Sequence, residues 1–209
     1  DGLDPELTTV DLTGVTDLAP ALEGCDAVIH LAAAVRDWGR EAPFREVNVH
    51  GTARLLDAAA RAGVGRFVHV SSVAVHRYRG FRDADPETAP LDGDINAYAR
   101  TKVAAEKLVR GSGLDWVIVR PGLWPYGAED PSLKKVAAAL KRGLLPLCGG
   151  GRSRINTVHS GNLAHGLHRA VLAPAAVGRT VVVADDGAPS WKELFTEIAE
   201  LCGARPPRL

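Results

Sequence analysis

Short runs of apolar and β-branched residues, each bounded by turn residues, recur along this chain and predict its strands. Four clear runs cover residues 26–32, 66–71, 116–120 and 180–184, and a weaker run covers 7–11. Their length and their Val and Ile content are typical of strands. The clear runs are nearly continuous in apolar residues, which is the pattern of parallel strands with both faces covered.

Between these runs, apolar residues repeat at the 3.6-residue spacing of a helix. Such stretches cover 44–62 and 96–110, and shorter ones lie near 131–142, 160–173 and 190–202. The last begins with Ser190 and Glu193, whose spacing predicts a capping box at the helix start. Helices alternating with buried strands predict an α/β fold with a doubly wound parallel sheet, because right-handed crossovers place helices on both of its faces.

Two features depart from this regular alternation. The longest irregular stretch, 80–93, joins a strand to the helix predicted at 96–110, and we expect it to line a site. Asn48 lies inside the helix predicted over 44–62, although asparagine is a poor interior helix residue. We therefore expect a bulge or a functional role at Asn48.

Composition narrows the class of protein. The 209 residues are 46% hydrophobic and 24% charged, which is ordinary for a globular domain and excludes disordered and fibrous classes. Basic and acidic residues number 25 each and form no basic run, which argues against nucleic acid or an anionic membrane as a partner. No apolar run approaches the roughly 20 residues that cross a bilayer.

Cysteine and methionine content adds two expectations. Cys25, Cys148 and Cys202 lie far apart and form no C-x-x-C pair, so neither a disulfide framework nor a zinc site is indicated and a reducing cytoplasm is expected. His165 and His168 lack a third ligand at a suitable spacing, so we expect no bound metal. Since the sequence contains no methionine, we interpret it as a piece or a processed form of a longer chain.

Small residues follow three of the predicted strands. Residues 32–34, 71–72 and 121–122 each fall at the carboxyl end of a strand, where ligands bind in open parallel sheets. Such residues would let a flat ligand lie across the sheet edge. Tight strand-to-helix turns also need small residues, and the pattern taken alone favours that interpretation.

Tyr98 and Lys102 are the sharpest chemical feature. At i and i+4 on a helix they share a face, and an ammonium ion beside a phenol favours the phenolate. The pair therefore predicts general acid and base chemistry, although a solvated pair has the same spacing. Ser72, 26 positions earlier at a strand end, supplies a hydroxyl that can meet the same substrate oxygen.

Six stretches together carry a resemblance to a known family. The chain resembles the extended short-chain dehydrogenases/reductases, in the epimerase/dehydratase and 3β-hydroxysteroid dehydrogenase group. The matching stretches occur in the family's order and cover 26–33, 48–56, 68–75, 98–102, 120–122 and 155–164.

The resemblance implies a Rossmann-like fold and a nicotinamide cofactor, NAD or NADP. It implies that Tyr98 exchanges a proton with a substrate hydroxyl or carbonyl, that Lys102 binds the ribose and favours the Tyr98 phenolate, and that Ser72 bonds the reacting oxygen. Further family positions fall on cofactor-binding residues Asp11, Leu12, Leu31, Ala32, Ala33, Asn48, Pro121 and Gly122, and on substrate-binding residues Val73 and Arg154. A small-molecule substrate and a homodimer paired through helices are also implied.

The same resemblance predicts the domain organisation. Residues 1–125 correspond to a cofactor-binding core without its first β-α-β unit, which comprises a strand, the glycine-rich phosphate loop, a helix and a second strand. The fold is therefore expected to be N-terminally incomplete. Residues 126–209 correspond to a mixed segment with substrate-binding elements and a returning strand and helices, shortened at its C-terminus. Gly149–Gly151 cannot replace the phosphate loop because no helix follows it, and we expect a turn near the substrate.

Several functions remain open at this stage. Asn162, where nucleotide-sugar enzymes commonly carry an acidic residue, favours a hydroxysteroid dehydrogenase-like oxidoreductase that interconverts a secondary alcohol and a ketone. A nucleotide-sugar epimerase or dehydratase is the alternative. A non-catalytic dinucleotide-binding protein or an inactive fragment is a third, against which the intact Ser72, Tyr98 and Lys102 set argues. His76 and Arg77 stand in place of the family's Tyr-Gly, so the sequence does not decide the character of the substrate pocket.

Overall fold

The computed structural model describes residues 5–14, 17–36, 38–76, 84–93 and 95–207. The chain forms two compact units. The first comprises Asp1–Arg120 and Leu167–Val181, and the second comprises Pro121–Gly166 and Val182–Leu209. The chain thus leaves the first unit after Arg120 and returns to it for Leu167–Val181 before ending in the second.

A four-stranded sheet has the order β1-β2-β3-β6, where β1 is Ala27–His30, β2 is Arg66–Val70, β3 is Trp116–Pro121 and β6 is Arg179–Val183. The pairs β1-β2 and β2-β3 are parallel. The four clear strand predictions and the Rossmann-like α/β fold are therefore confirmed.

The fifth strand prediction, over residues 7–11, is wrong. None of these residues is extended in a sheet, and the side chains of Leu7 and Val10 are exposed. Apolar content alone does not make a strand, because a strand also needs a neighbouring backbone that accepts its hydrogen bonds.

Helices cover one face of this sheet. They are α1 (Glu41–Arg45), α2 (Thr52–Arg61) and α3 (Ala97–Arg110), the last capped by Asn96, whose side chain accepts from the backbone N–H of Ala99 at 2.8 Å. A six-residue π-helical turn, Glu46–Gly51, joins α1 to α2. The helix predicted over 44–62 therefore begins earlier and is interrupted, and the expected bulge at Asn48 is confirmed.

The helix-facing side of the sheet changes character along its strands. Val28, Phe67 and Ile118 belong to one buried apolar cluster with residues of α2 and α3. Two residues further along each strand, the same side carries His30, His69 and Arg120, all buried. The sheet thus has an apolar base and a buried polar layer toward its carboxyl end.

The second unit contains a two-stranded parallel sheet, β4 (Trp124–Tyr126) and β5 (Thr157–His159), together with α4 (Pro131–Lys141) and α6 (Trp191–Leu201). The helix α5 (Ser160–Leu172) begins in this unit and ends in the first. The helix predictions near 131–142, 160–173 and 190–202 are confirmed, as is the capping box of Ser190 and Glu193.

Three aromatic rings pack together in the second unit. The ring of Trp191 lies 6.2 Å from that of Trp124 and 5.2 Å from that of Phe195, measured between centroids.

Within the described part of the chain, no helix has the length and apolar character needed to span a membrane.

Candidate active site

Lys102 is buried against the polar layer of the first sheet. Its side chain lies on the inner face of α3, with Ala99, Ala105 and Val109 buried on the same helix. The ammonium Nζ donates to the carbonyl of Val70, at the carboxyl end of β2, at 2.6 Å. Burial lowers the pKa of Lys102 to about 8, while the negative charge of Glu106 acts in the opposite direction.

Tyr98 lies one helical turn before Lys102 and is half-buried. The helix presents both side chains on one face, as the sequence spacing predicts. The backbone carbonyl of Tyr98 accepts a hydrogen bond from the hydroxyl of Thr101 at 2.8 Å, so the first turn of α3 is fixed by its own side chains.

Ser72 follows β2 and begins a 3₁₀ turn, Val73–Val75, that lies against α3. Its Oγ accepts from the backbone N–H of Ala74 at 3.1 Å, so its hydroxyl proton is available to another acceptor. The carbonyl of Val75 accepts from the N–H groups of Asp92 and Gly93 at 3.0 and 3.1 Å. The segment that leads into α3 is thereby closed onto the turn that carries Ser72.

Asn48 connects three elements of the first unit. Its Oδ1 accepts from the N–H of Ala34 at 2.7 Å, and its Nδ2 donates to the carbonyl of Ala34 at 3.2 Å and to Oγ1 of Thr101 at 3.0 Å. The side chain is 1% exposed, and both of its amide protons are used within the chain. Asn48 therefore ties the segment after β1 and the π-helical turn to the helix that carries Tyr98 and Lys102.

The π-helical turn is stabilised by a hydrogen-bond chain. Thr52 Oγ1 donates to the carbonyl of Asn48 at 2.8 Å, so it can only accept from the ring Nε2 of His30, 2.9 Å away. His30 is thus protonated on Nε2. Burial, with the positive charge of Lys102 as a second cause, lowers the pKa of His30 to about 4, so the ring is neutral at physiological pH.

His69 is the second imidazole of the polar layer. It pairs with His30 in the β1-β2 register, and the two ring centroids lie 5.4 Å apart. The ring is fully buried, and neither nitrogen has a hydrogen-bond partner among the described residues. Burial and the nearby charge of Lys102 lower the pKa of His69 far below its usual value. Sequence reasoning missed both histidines, although each stands at an inward position of a predicted strand.

The end of β1 is open to solvent. Leu31 and Ala32 are exposed and Ala33 is half-buried, so the backbone of this segment is accessible to a ligand. Asp11 is exposed as well, and its carboxylate accepts from the N–H and the hydroxyl of Thr13, which lowers the pKa of Asp11.

The segment with Leu12 is held at the start of α2. The carbonyl of Leu12 accepts from Arg54 Nε at 3.0 Å, and a side chain added to Gly51 would approach Leu12 Cβ to 3.2 Å. Because Gly51 has no side chain, Leu12 packs directly on the π-helical turn.

The remaining predicted residues belong to the second unit. Pro121 ends β3, and a Cβ added to Gly122 would lie 2.9 Å from the carbonyl oxygen of Asn156, so close backbone packing accounts for this glycine. Arg154 is exposed, and its guanidinium donates to the carbonyl of Ala188. The structure therefore packs the turn that follows Ser72 on α3, the helix of Tyr98 and Lys102, and bonds Asn48 to Thr101 of that helix, while Arg154 lies in the other unit.

A polar cluster of the second unit was not predicted. The carboxylate of Asp185 accepts from the backbone N–H of His159 at 3.0 Å and from Asn162 Nδ2 at 2.8 Å. It also bonds the hydroxyl of Tyr126, whose pKa is raised mainly by burial. A three-residue strand and an aspartate beside Asp186 give no signal in the sequence that could have located the cluster.

Gly149 and Gly150 adopt positive φ in the turn Cys148–Gly151, which confirms a turn at this site.

Known proteins match nearly the whole chain. The model of the NAD dependent epimerase/dehydratase family matches residues 2–184. The chain is 33% identical, over 98% of its length, to 3 beta-hydroxysteroid dehydrogenase/Delta 5→4-isomerase of Mycobacterium tuberculosis (strain ATCC 25618 / H37Rv), and it spans 60% of that protein. It is 30% identical, over 93% of its length, to 2-alkyl-3-oxoalkanoate reductase of Stenotrophomonas maltophilia (strain K279a), and it spans 62% of that protein.

A solved structure matches equally well. The dTDP-glucose 4,6-dehydratase from Streptomyces venezuelae with NAD bound has a TM-score of 0.80 to this chain at 30% identity, over 95% of this chain and 65% of that one. The chain thus spans about 60% of the length of the curated relatives that it matches.

Proposed function

Because the chain belongs to the NAD dependent epimerase/dehydratase family, we propose that its protein is an NAD(P)-dependent oxidoreductase that interconverts a secondary alcohol and a ketone. The observation that carries this proposal is the buried ammonium of Lys102, one helical turn from Tyr98 on a helix that packs on the turn of Ser72. A pure binding protein has no need for a buried cation beside a phenol and a hydroxyl.

The donor set of the first unit fits a nicotinamide dinucleotide. Lys102 uses one ammonium proton on Val70 and retains two for ribose hydroxyls. The exposed backbone at Leu31, Ala32 and Ala33 suits the flat, polar edge of the cofactor. In this proposal Asp11 and Leu12 contact the adenine side, and Pro121 and Gly122 contact the nicotinamide side, as in the family.

In the proposed mechanism the chain supplies the proton and the cofactor supplies the redox chemistry. The hydroxyl of Tyr98 gives a proton to the substrate oxygen during reduction and takes it back during oxidation. Lys102 stabilises the phenolate that forms on Tyr98 through its positive charge. Ser72 donates its hydroxyl proton to the same substrate oxygen, because its own oxygen already accepts from Ala74.

Asn48 has a supporting role in this mechanism. Both amide protons of Asn48 are used within the chain. We therefore propose that Asn48 holds the segment after β1 against α3, and that its side chain does not bind the cofactor. The hydrogen bond from Asn48 to Thr101 fixes the turn of α3 that lies between Tyr98 and Lys102.

The substrate is proposed to be a small or medium organic alcohol or ketone, with Val73 among its contacts. The relatives named for a hydroxysteroid and for a 3-oxoalkanoate favour an oxidoreductase with net turnover of the cofactor. The structural match to a nucleotide-sugar dehydratase favours the alternative, in which the substrate is oxidised only transiently. Net NADH formation from a secondary alcohol would support the first function, and turnover without net reduction would support the second.

The proposal is tested by cofactor binding and by turnover of a Tyr98→Phe variant. Titration of the purified chain with NADH and NADPH, followed by fluorescence, is expected to show binding that Tyr98→Phe leaves nearly unchanged. The phenylalanine cannot transfer a proton, so we expect kcat to fall by roughly 100-fold or more. Unchanged kcat in the variant would remove Tyr98 from the mechanism, and no binding by folded protein would contradict a cofactor site in this chain.

A further inference from the structure

Glu106 is a buried carboxylate that the proposed mechanism does not use. It lies one helical turn after Lys102 on α3, and it is 0% exposed. Among the described residues it is the one acidic residue that is buried. A buried carboxylate is costly unless it is paired, so its position requires an explanation.

Arg120 holds the Glu106 carboxylate in place. The Arg120 Nε and Nη2 atoms donate to the two carboxylate oxygens at 2.9 and 2.7 Å, and the Arg120 side chain is also fully buried. The remaining Nη1 donates to the carbonyl of Pro86 at 2.8 Å and to Nε2 of His76 at 3.0 Å. This bidentate geometry fixes the position of the Glu106 carboxylate.

Glu106 is the buried carboxylate among the described groups around Lys102. His30 on β1 and His69 on β2 face Lys102 as neutral rings, and Arg120 on β3 is a second buried cation. On α3 itself, Tyr98 lies one helical turn before Lys102. Arg110, half-buried, lies 3.7 Å from the Glu106 carboxylate and 3.8 Å from that of Glu87, so its charge is shared between two carboxylates. Among the described residues, Glu106 is thus the buried carboxylate that can act on Lys102.

We propose that Glu106 is a positioning residue, whose carboxylate, immobilised by Arg120, supplies the buried negative charge that holds Lys102 in its ammonium form. The inference rests on the proposed function, in which the charge of Lys102 stabilises the phenolate of Tyr98. It also explains why an ion pair between Glu106 and Arg120 is buried in a layer whose other members are neutral. The attraction that Glu106 exerts on Lys102 opposes the effect of burial on the Lys102 pKa.

The experiment measures the protonation of Lys102 directly. The chain is labelled with ¹³C,¹⁵N-lysine, and the side-chain resonance of Lys102, assigned by its loss in Lys102→Met, is followed against pH. In the wild type the midpoint is expected at about 8. In Glu106→Gln the midpoint is expected to fall by roughly one pH unit or more, because an opposing charge is lost. Glu106→Asp, which keeps the charge, is expected to restore most of the difference.

Two further variants separate the effect of the Glu106 charge on Lys102 from effects of the substitution on folding. Glu41→Gln removes a carboxylate that faces the exposed side of α3, where it pairs with Arg100 at 3.0 Å, and it is expected to leave the Lys102 midpoint unchanged. If Glu106→Gln does not fold, the double variant Glu106→Gln/Arg120→Gln removes both partners and leaves no unpaired buried guanidinium. Its Lys102 midpoint is expected to lie below that of Arg120→Gln, which lacks the same cation and keeps the Glu106 carboxylate.

A wild-type midpoint in folded Glu106→Gln, or equal midpoints in the folded double variant and in Arg120→Gln, would overturn the proposal. An equal fall in Glu106→Asp and Glu106→Gln would also overturn it, since it would trace the effect to packing. The readout needs no cofactor and no turnover. Failure of the Tyr98→Phe test would therefore reject the proposed function while leaving the result for Glu106 and Lys102 standing.

Discussion

At the scale of single residues, the chain retains a buried cation that costs stability. The pKa of Lys102 falls from 10.5 to about 8 on folding, so the unfolded chain binds the proton more tightly than the folded one. The charge of Lys102 therefore destabilises the folded state below pH 8. Its effect is lost as pH rises through 8 to 10.5, and stability increases over that range. Retention of such a group is typical of a functional site.

We expect Lys102→Met to raise the free energy of unfolding at pH 7 by about 1–3 kcal/mol. The substitution removes a desolvated charge, and it loses only the hydrogen bond to the carbonyl of Val70. The same variant is expected to abolish turnover. Urea denaturation at pH 7 and pH 10 measures the effect, and the gain should be smaller at pH 10. Lys107→Met, on the exposed face of the same helix, is the matched control and should change stability little. A loss of stability in Lys102→Met would contradict this account.

At the scale of secondary-structure elements, the π-helical turn is the feature that organises the candidate site. The turn carries Asn48 inward, where its side chain reaches both Ala34 and Thr101. A regular α-helix would have to place these partners differently, since a π-helical turn inserts one extra residue per turn. The interruption of the predicted helix is thus the means by which the end of β1 is joined to α3.

Removal of the Asn48 side chain should destabilise the first unit. In Asn48→Ala, the N–H and carbonyl of Ala34 both lose their partner in a largely buried setting, and we expect a loss of about 2–4 kcal/mol. Thermal or urea unfolding gives the value. His50→Ala, in the same turn but exposed, controls for the change in helix propensity. Equal effects of the two substitutions would show that the hydrogen bonds of Asn48 contribute nothing.

At the scale of the whole chain, the buried histidines lower the stability of the folded state at acidic pH. The pKa of His30 falls from 6.5 to about 4, and that of His69 falls further below its usual value. The unfolded chain therefore binds more protons than the folded chain between pH 6.5 and about 4. Stability is present above pH 6.5 and is lost as pH decreases through this window, by about 3 kcal/mol from His30 alone.

His69→Phe should flatten this dependence. The variant replaces a buried imidazole without hydrogen-bond partners among the described residues by a ring of similar shape, so we expect higher stability at pH 5 and a smaller difference between pH 5 and pH 7. Urea midpoints at the two pH values test this. His50→Phe, at an exposed position, is expected to leave the difference unchanged. A wild-type difference in folded His69→Phe would contradict the assignment.

The amino-acid sequence by itself determined the features that depend on neighbours a few residues apart. The four strands of the sheet, the helix that presents Tyr98 and Lys102 on one face, the capping box of Ser190 and Glu193, and the unusual character of Asn48 all follow from local spacing and backbone propensity. The family resemblance likewise rests on short stretches in a fixed order, and the match to residues 2–184 confirms it.

Only the tertiary structure decided how these pieces act on one another. Three such features are the burial of Lys102 above two neutral histidines, the pairing of Glu106 with Arg120, and the link from Asn48 to Thr101. They join residues that are 14 to 72 positions apart. The strands β4 and β5 are three residues long and exist because each pairs with the other. Such features depend on long-range packing and desolvation, which no local pattern of residues encodes.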